Sequence, residues 1–221
     1  MDQRCNICGS TTFQPGFNNR LTFGLPPACS ECGSYERHRI SYIMYSALSP
    51  LFAEWRALQF APDCSVKRNW FKEYVGSVYG SSNSYNMMDS GLPEGRFDII
   101  ISNHVLEHVS DDIVALQEML RVAGDNGIVA LTVPTPTMRW ETIDWDFPDP
   151  AKNYHYRDYG ADFPQRVASK IRGIEIAAVS AADPATGIYD IVYFFSNGTG
   201  HLEKMAGIWN RIPLPIVRLS S

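Results

Sequence analysis

The chain has 221 residues, of which 45% are hydrophobic and 19% are charged, and its net charge is −5. This length provides one full-sized domain and a small additional unit, and the hydrophobic content excludes a wholly disordered protein. The acidic balance argues against a protein that holds duplex nucleic acid through a broad basic face. No apolar run reaches the roughly 18 residues that cross a bilayer, and the N-terminus lacks the apolar stretch of a secretory signal. We therefore expect a cytoplasmic protein without a membrane span.

Four of the five cysteines form two C-x2-C pairs. They are Cys5, Cys8, Cys29 and Cys32. Such pairs supply the four thiolates that a tetrahedral zinc ion binds at about 2.3 Å, and Gly9 and Gly33 follow them where the chain must turn. Two disulfides or a redox centre are the alternatives, but a reducing cytosol disfavours the former and the latter needs no second pair. The pattern predicts a structural zinc ribbon, with Cys64 left over as a small, partly buried apolar residue.

Composition and periodicity predict four regions. These are a zinc ribbon over residues 1–34, a connecting helix over 35–56, the main domain over 57–200 and a C-terminal tail over 201–221. The helix is predicted from Tyr35 to Ser49 on apolar spacing, and Pro50 is expected to end it. The tail is apolar enough to cover the core or to pair with another subunit, so a homodimer is left open.

Strand and helix patterns alternate from residue 57 onward. Strands are predicted at Ala57–Ala61, Val75–Tyr79, Phe97–Ser102, Ile128–Val133, Ile174–Val179 and Tyr189–Phe195, and helices at Val66–Glu73, Ser110–Val122 and Asp162–Arg172. A loop with four prolines precedes the last of these helices. The alternation predicts an α/β fold, with a parallel sheet and helices on both faces. Ligands bind such sheets beyond the carboxyl ends of the strands.

Several segments resemble a known family. Phe97–Asp112, Ala115–Val122 and the strand ending at Pro134 resemble class I S-adenosylmethionine-dependent methyltransferases. More narrowly, Cys32–Ser34, Glu36–Arg39, Phe60–Asp63 and His155–Gly160 resemble a bacterial subgroup that carries an N-terminal zinc ribbon. The resemblance spans roughly residues 5–195. It implies a Rossmann-like seven-stranded sheet with an antiparallel last hairpin, and S-adenosylmethionine bound over strands one to four.

The resemblance also implies a set of cofactor-binding residues at the strand ends. They are Phe60, Ala61, Pro62, Asp63, Ser81, Asp89, Ser102, Asn103 and His104. The chain departs from the family pattern because it lacks the glycine-rich turn after strand one and the acid that binds the ribose after strand two. Ser81 or Asn83 is the candidate replacement for that acid. Asp89 matches the acid near adenine or is an ordinary turn aspartate, and His104 is either a site residue or a core histidine.

The acceptor should approach after the fifth strand, near the segment Asn153–Gly160. His155 and His108 are the candidate catalytic residues, since imidazole suits proton transfer. Arg157 and Tyr159 are predicted to bind the substrate as an anion clamp and a stacking surface. The alternatives are that His108 caps a helix and that Arg157 and Asp158 pin their loop to the following helix. Methyl transfer to a small molecule or glycan precursor is the predicted reaction.

Three other functions compete with this one. His104–His108 fits H-x-x-E-H, the zinc motif of an inverted metalloprotease group, but that motif needs a continuous helix. A methyltransferase domain that has lost catalysis and serves in binding or regulation is supported by the missing ribose acid. RNA methylation is supported only by four arginines around the ribbon, so a nucleic-acid partner is disfavoured. These arginines are Arg4, Arg20, Arg37 and Arg39.

Overall fold

The computed structural model describes residues 3–134, 136–209 and 216–220. Its strands are β1 (Phe13–Gln14), β2 (Ala28–Cys29), β3 (Arg56–Phe60), β4 (Glu73–Ser77), β5 (Ile99–Asn103), β6 (Ile128–Thr132), β7 (Ile143–Asp149), β8 (His155–Asp158), β9 (Glu175–Ala182), β10 (Tyr189–Ser196) and β11 (Ile216–Ser220). Its α-helices are α1 (Glu36–Phe52), α2 (Asp112–Ala123), α3 (Phe163–Lys170) and α4 (Thr199–Trp209). Short 3-10 turns lie at Phe17–Asn19, Arg68–Trp70, Leu106–His108 and Pro150–Lys152.

The central sheet has the strand order β11-β9-β10-β6-β5-β3-β4. Strands β4, β3, β5 and β6 run parallel to one another, whereas β10 is antiparallel to both β6 and β9. The sheet is therefore mixed and rich in parallel pairs, and it ends in an antiparallel hairpin. The predicted α/β class is confirmed.

The seven strands are not the seven that the resemblance implies. Between β4 and β5 the described chain forms turns and one bridge, which joins Asn86 to Asp89. Gly91, Pro93 and Gly95 interrupt this segment, and such residues break strands. The family's third strand is therefore missing, and six of the family's strands are present. The additional strand, β11, pairs with β9 at the opposite edge.

Helices cover both faces of the sheet, because successive side chains of a strand point to opposite sides. Ile100 belongs to one apolar cluster together with Leu116 of α2. Its neighbours Ile99 and Ile101 belong to a second cluster, together with Met44 of α1. These two clusters form a three-layer core, which leaves the carboxyl ends of the parallel strands at one edge.

The connecting helix α1 continues through Pro50, which the sequence predicted to end it. Proline has no N–H for the carbonyl of Ser46, four residues earlier. The Ser49 hydroxyl donates to that carbonyl at 2.7 Å and so satisfies the acceptor. Phe52 in the last turn is fully buried and stacks on Phe71 with ring centroids 4.8 Å apart. This packing supports the extra turn.

The helix predicted at Val66–Glu73 does not form. The segment contains the 3-10 turn Arg68–Trp70 and then enters β4. Its aromatic side chains pack on α1, and the rings of Trp70 and Tyr42 have centroids 5.5 Å apart. Because α1 already covers this face of the sheet, the connection stays short.

The loop with four prolines contains a hairpin that the sequence did not predict. Strands β7 and β8 pair antiparallel, with a shift of register between Asp144 and Asp149. Pro148 lies in β7 near this irregularity, and prolines are tolerated at such positions in edge strands. The hairpin stands apart from the central sheet and brings His155 toward the end of β5.

The C-terminal tail begins with α4, so the boundary predicted at residue 201 falls inside a helix. Leu202 and Met205 are buried in the cluster that includes α1, and the helix therefore covers the core, which was one of the two alternatives. Residues 210–215 and 221 of the predicted tail lie outside the described residues. No helix in the described part of the chain has the length and apolar character needed to span a membrane.

Candidate active site and metal centre

The four cysteines of the two C-x2-C pairs lie together. The Sγ atoms of Cys5 and Cys32 are 3.7 Å apart, those of Cys8 and Cys29 are 3.6 Å apart, and all four lie within 4.8 Å of one another. In a tetrahedral site with Zn–S bonds of about 2.3 Å, neighbouring sulfurs are about 3.8 Å apart. None of the four forms a disulfide. The donor set and its spacing therefore suit a zinc ion.

The two cysteine pairs use the same turn. The backbone N–H of Gly9 donates to the carbonyl of Cys5 at 2.8 Å, and that of Gly33 donates to the carbonyl of Cys29 at 3.0 Å. The two glycines have φ of +81° and +69°, a region that other residues rarely adopt. These turns lie where the sequence predicts them.

A buried arginine joins the cysteine-containing segment to the main domain. The fully buried Arg39 side chain forms two bonds to the Asp183 carboxylate, of 2.7 and 2.8 Å. The same guanidinium donates to the backbone carbonyls of Pro27 and Ser34 at 2.9 and 2.8 Å. Burial opposes its charge, but the Asp183 carboxylate overcomes this effect and raises the pKa of Arg39. This junction connects the N-terminal segment, α1 and the turn between β9 and β10.

The same pairings weaken the RNA alternative. Arg39 is buried, and Arg20 forms a bidentate pair with Glu36 at 2.8 Å. Of the four arginines considered for RNA, two are therefore committed to carboxylates within the protein. Few arginines beside the cysteines are therefore left to bind the phosphates of RNA.

The carboxyl ends of β3 and β5 both continue into a left-handed residue. Ala61 follows β3 with φ +46°, and His104 follows β5 with φ +53°; the two strands are neighbours in the sheet. Such a conformation costs a non-glycine residue roughly 1–2 kcal/mol, and residues of this kind cluster at functional sites. Ala61 stands where the family places its glycine-rich turn, and it is exposed. A small exposed residue in this conformation lets the backbone approach a ligand.

We expect Ala61→Val to lower the free energy of unfolding by about 1–2 kcal/mol, because a β-branched side chain strongly disfavours positive φ. Ala61→Gly is the matched control and should be at least as stable as the natural chain. Urea unfolding measures both. Equal stability of the valine variant would show that the turn does not require the left-handed conformation.

A polar network lies behind this turn. Asn103 Nδ2 donates to Asp63 Oδ2 at 3.1 Å and to Ser65 Oγ at 2.9 Å, and the Tyr45 hydroxyl donates to Asn103 Oδ1 at 3.3 Å. Asp63 Oδ1 accepts from the backbone N–H of Ser65 at 2.7 Å and from Gln59 Nε2 at 3.2 Å. Through these bonds Asp63 and Asn103 tie the turn after β3 to β5, and their predicted cofactor contacts stay a prediction.

Three further predicted cofactor residues surround the same turn. Phe60 is the last residue of β3 and Ser102 the second-last of β5; both are buried, and Ser102 Oγ has no hydrogen-bond partner among the described residues. Pro62 lies against Gly76, where a Cβ would come within 2.8 Å of the proline Cγ. Glycine is therefore required in β4 for the turn after β3 to pack closely.

A groove of about 350 Å³ runs along β4 beside this turn. Pro62, Ser81 and Asn83 contribute to its lining, which contains no carboxylate, as the sequence predicts. Asp89 is exposed, and its turn is closed by the bridge to Asn86. The geometry of Asp89 is that of the turn aspartate considered as the alternative.

Glu107, His108 and His155 meet beyond the end of β5. Glu107 and His108 belong to the 3-10 turn after β5, and His155 begins β8. One possible ligand atom from each side chain lies within 4.8 Å of the other two. The two imidazoles lie edge to face with centroids 4.7 Å apart. The structure thus brings the two candidate catalytic histidines together and adds Glu107, which the sequence indicated only through the protease motif.

Burial controls the charges in this group. Glu107 is 1% exposed, and burial raises its pKa to about 8. Burial lowers the pKa of His104, whose ring lies 3.7 Å from Glu107, to about 3. It also lowers the pKa values of His108 and His155, and the latter is lowered further by its neighbour His108. The imidazoles are therefore neutral at pH 7.

The H-x-x-E-H motif does not lie on one helix. His104 is the left-handed residue after β5, and His108 ends a single 3-10 turn. The two histidines therefore do not share the face of an α-helix, which the metalloprotease geometry requires. The protease alternative does not fit this structure.

Arg157 and Tyr159, which were predicted to bind the substrate, lie inside the protein. Arg157 is 1% exposed and donates to Asp144 Oδ2 and to the carbonyl of Val109, at 2.7 and 2.8 Å. The Tyr159 hydroxyl donates to Asp112 Oδ2 at 3.0 Å. The prediction was wrong because these groups are saturated by the protein. Arg157 ties the β7–β8 hairpin to the turn before α2, whereas the alternative placed its anchor on the helix that follows the loop.

Comparison with known proteins identifies the family. A family model described as a methyltransferase domain matches residues 33–170, more than half of the chain. The chain belongs to this methyltransferase family. It is an S-adenosylmethionine-dependent methyltransferase. The matched region starts after the second cysteine pair and ends with α3, so the cysteine cluster and the hairpin β9–β10 lie largely outside it.

Several solved structures resemble this methyltransferase. The CurJ carbon methyltransferase has a TM-score of 0.53 at 14% identity, over 76% of this chain and 56% of that one. A Thermotoga maritima protein described as a possible histamine N-methyltransferase has 0.45 at 12%, over 72% and 90%. The 1,6-didemethyltoxoflavin-N1-methyltransferase of Burkholderia thailandensis has 0.45 at 12%, over 69% and 76%. At such identities the likeness concerns the fold alone. No curated protein matches the chain.

Proposed function

We propose that this methyltransferase binds S-adenosylmethionine at the carboxyl ends of β3, β4 and β5 and methylates a small molecule or glycan precursor beside His108 and His155. The observation that carries the proposal is that the neighbouring strands β3 and β5 are both followed by left-handed residues, and that β5 leads through one short turn to His108, which contacts His155. When bound, the cofactor supplies an electrophilic methyl group. The displacement then requires that the protein position two reactants and exclude water.

The residues at the strand ends suit the cofactor. Ala61 exposes backbone in the turn after β3, and the buried Ser102 hydroxyl is left without a protein partner among the described residues. Ser81 and Asn83 in the groove provide a hydroxyl and an amide where the family has an acid. Asp89 is the proposed acid on the adenine side. Asp63 and Asn103 act through the network that holds the turn.

Calorimetric titration with S-adenosylhomocysteine tests the cofactor site, and we expect binding of one equivalent per chain. The groove without a carboxylate favours a second candidate, a protein of methyltransferase fold that has lost catalysis and serves in binding or regulation. Absence of heat at high protein concentration would support that candidate and contradict the proposed enzyme.

His155→Ala is expected to lower methyl transfer by about 100-fold or more while changing S-adenosylhomocysteine affinity less than about twofold, since loss of a group that assists proton removal has effects of that size. Transfer is measured with a labelled methyl donor and a fractionated small-molecule extract. The matched control is His201→Ala in α4, whose ring stacks on Trp55. Unchanged transfer in the His155 variant would remove this residue from the site.

The N-terminal segment is proposed to be a structural zinc ribbon. Protein thiolates would fill all four positions of the ion, and closed sites of this kind are structural rather than catalytic. The proposed division into ribbon, connecting helix and methyltransferase domain follows the sequence, with the domain extended to include α4. Cysteines that bind zinc need reducing conditions, which supports a cytoplasmic location. The proposal also includes a homodimer in which the C-terminal tail pairs with another subunit.

A further inference from the structure

We infer that Glu107, His108 and His155 form a binding site for a divalent transition-metal ion such as Zn²⁺, separate from the cysteine cluster. Two imidazoles and one carboxylate are a common ligand set of catalytic zinc and other divalent metal sites. The three candidate ligand atoms lie within 4.8 Å of one another. Tetrahedral bonds of about 2.0–2.2 Å place ligand atoms about 3.3–3.6 Å apart. Shifts of about 1 Å, which side-chain rotation supplies, would therefore close the site on an ion.

Glu107 is the strongest indication of a missing cation. Its side chain is almost completely buried, and Oε2 has no hydrogen-bond partner in the described part of the chain. Its other oxygen, Oε1, is 3.7 Å from His104 Nδ1, which is too long for a hydrogen bond. A buried carboxyl group without a partner is costly when charged, so in proteins such groups are protonated, paired with a charge or coordinated to a metal. A metal ion at this position would satisfy the carboxylate.

Each histidine has a polar group near its ring that could orient it. His155 Nδ1 lies 3.9 Å from Asp158 Oδ1, which is beyond hydrogen-bond distance, and the backbone of Tyr154 lies close enough to the His108 ring to raise the pKa of that imidazole, against the effect of burial. Histidines that bind metals characteristically donate their second nitrogen to a carboxylate or a backbone carbonyl, which fixes the tautomer and the ring orientation. If Asp158 and the Tyr154 carbonyl take this role, one nitrogen of each ring is left to bind an ion.

The backbone before His155 is held in an unusual conformation. Asn153 and Tyr154 are consecutive left-handed residues with φ of +56° and +61°. This conformation costs roughly 1–2 kcal/mol for each residue, and it presents the Tyr154 carbonyl to His108. Because Tyr154 and His155 are consecutive, the same hairpin places both of them beside His108.

The exposure of the three ligands predicts an open coordination position. Glu107 is buried, His155 is half-buried and His108 is exposed, so an ion would be reached from the His108 side. Three protein ligands and one open position are typical of catalytic rather than structural zinc. The role of the ion toward the acceptor depends on the proposed function. In that reaction the ion would bind the acceptor's hydroxyl oxygen and favour loss of its proton, as metals do for bound water. This narrows the acceptor class to molecules with a hydroxyl group.

Titration of the isolated full-length chain with Co²⁺ tests the inference. The cysteine cluster keeps its own zinc under these conditions, so we expect one further equivalent with visible d–d absorption and without thiolate charge-transfer bands. Glu107→Gln and His155→Ala should weaken this binding by about 100-fold or more, and Asp158→Asn by about 10- to 100-fold, the usual effect of a residue that orients a ligand. His201→Gln is the matched control and should bind as the natural chain does.

Absence of the further equivalent, or equal binding by the Glu107 and His155 variants, would overturn the inference. Titration of the same samples with S-adenosylhomocysteine shows that the variants are folded. It also separates the two proposals, because cofactor binding without Co²⁺ binding refutes the metal site alone. The reverse result refutes the proposed enzyme and leaves the metal site standing.

Discussion

Cys5→Ser or Cys29→Ser is expected to release the metal of the cysteine cluster and to unfold the N-terminal segment. Its two strands have two residues each, and its few buried hydrophobic side chains include Cys5, Ala28 and Cys29. Such a segment cannot fold on apolar burial alone. Structural zinc supplies an apparent binding energy of about 10–16 kcal/mol in small zinc domains. We therefore expect lower solubility and stability, with less effect on intrinsic methyl transfer.

The loss is measured on cobalt-substituted protein, since thiolate charge-transfer absorption reports the cysteine cluster and no other site. Limited proteolysis should cut the variants before α1 while the methyltransferase domain survives. Cys64→Ser is the matched control, because Cys64 lies outside the cluster and should keep the absorption and the protease resistance. A soluble, fully folded Cys29→Ser chain without metal would disprove the structural role.

Arg39→Met or Asp183→Asn should lower the free energy of unfolding by about 3–5 kcal/mol, since each change leaves the partner as an isolated buried charge. In a chain of this size that corresponds to a fall in Tm of roughly 6–20 °C. The Arg39 change has a second effect, because the carbonyls of Pro27 and Ser34 lose their donors. Chemical denaturation followed by tryptophan fluorescence measures the change.

Arg56→Met provides the matched control for the arginine change. Arg56 also binds a carboxylate, that of Asp98 at 3.0 Å, but the two side chains are 37% and 27% exposed. Pairs screened by solvent contribute about 1 kcal/mol or less. If Arg39→Met costs no more than Arg56→Met, the buried pair does not hold the ribbon against the domain.

The sequence predicted the features that depend on residues close together in the chain. The spacing of Cys5, Cys8, Cys29 and Cys32 indicated the sulfur cluster, because two short turns are enough to present four thiolates. The apolar runs at Ile99–Ile101 and Ile128–Leu131 indicated strands buried on both faces, and the alternation of elements indicated the α/β class. These patterns lie in short stretches of sequence, so they can be recognised before any tertiary contact is known.

The sequence did not predict which polar side chains face the solvent and which are buried against protein partners. Arg157 and Tyr159 looked like substrate ligands, because the sequence does not show that Asp144 and Asp112 reach them. Val66–Glu73 was expected to be helical, but α1 covers the face where that helix would pack. In each case contacts between distant segments overrode the local preference.

The grouping of Glu107, His108 and His155 is also a product of long-range packing. Glu107 and His108 lie on a turn fixed by the end of β5, whereas His155 arrives on a hairpin that Arg157 anchors to the turn before α2. Neither segment contains a complete ligand set. The sequence specifies the types of these three residues. The short distances among them arise only when the hairpin packs against the sheet edge, where burial and the Arg157 side chain hold both segments in place.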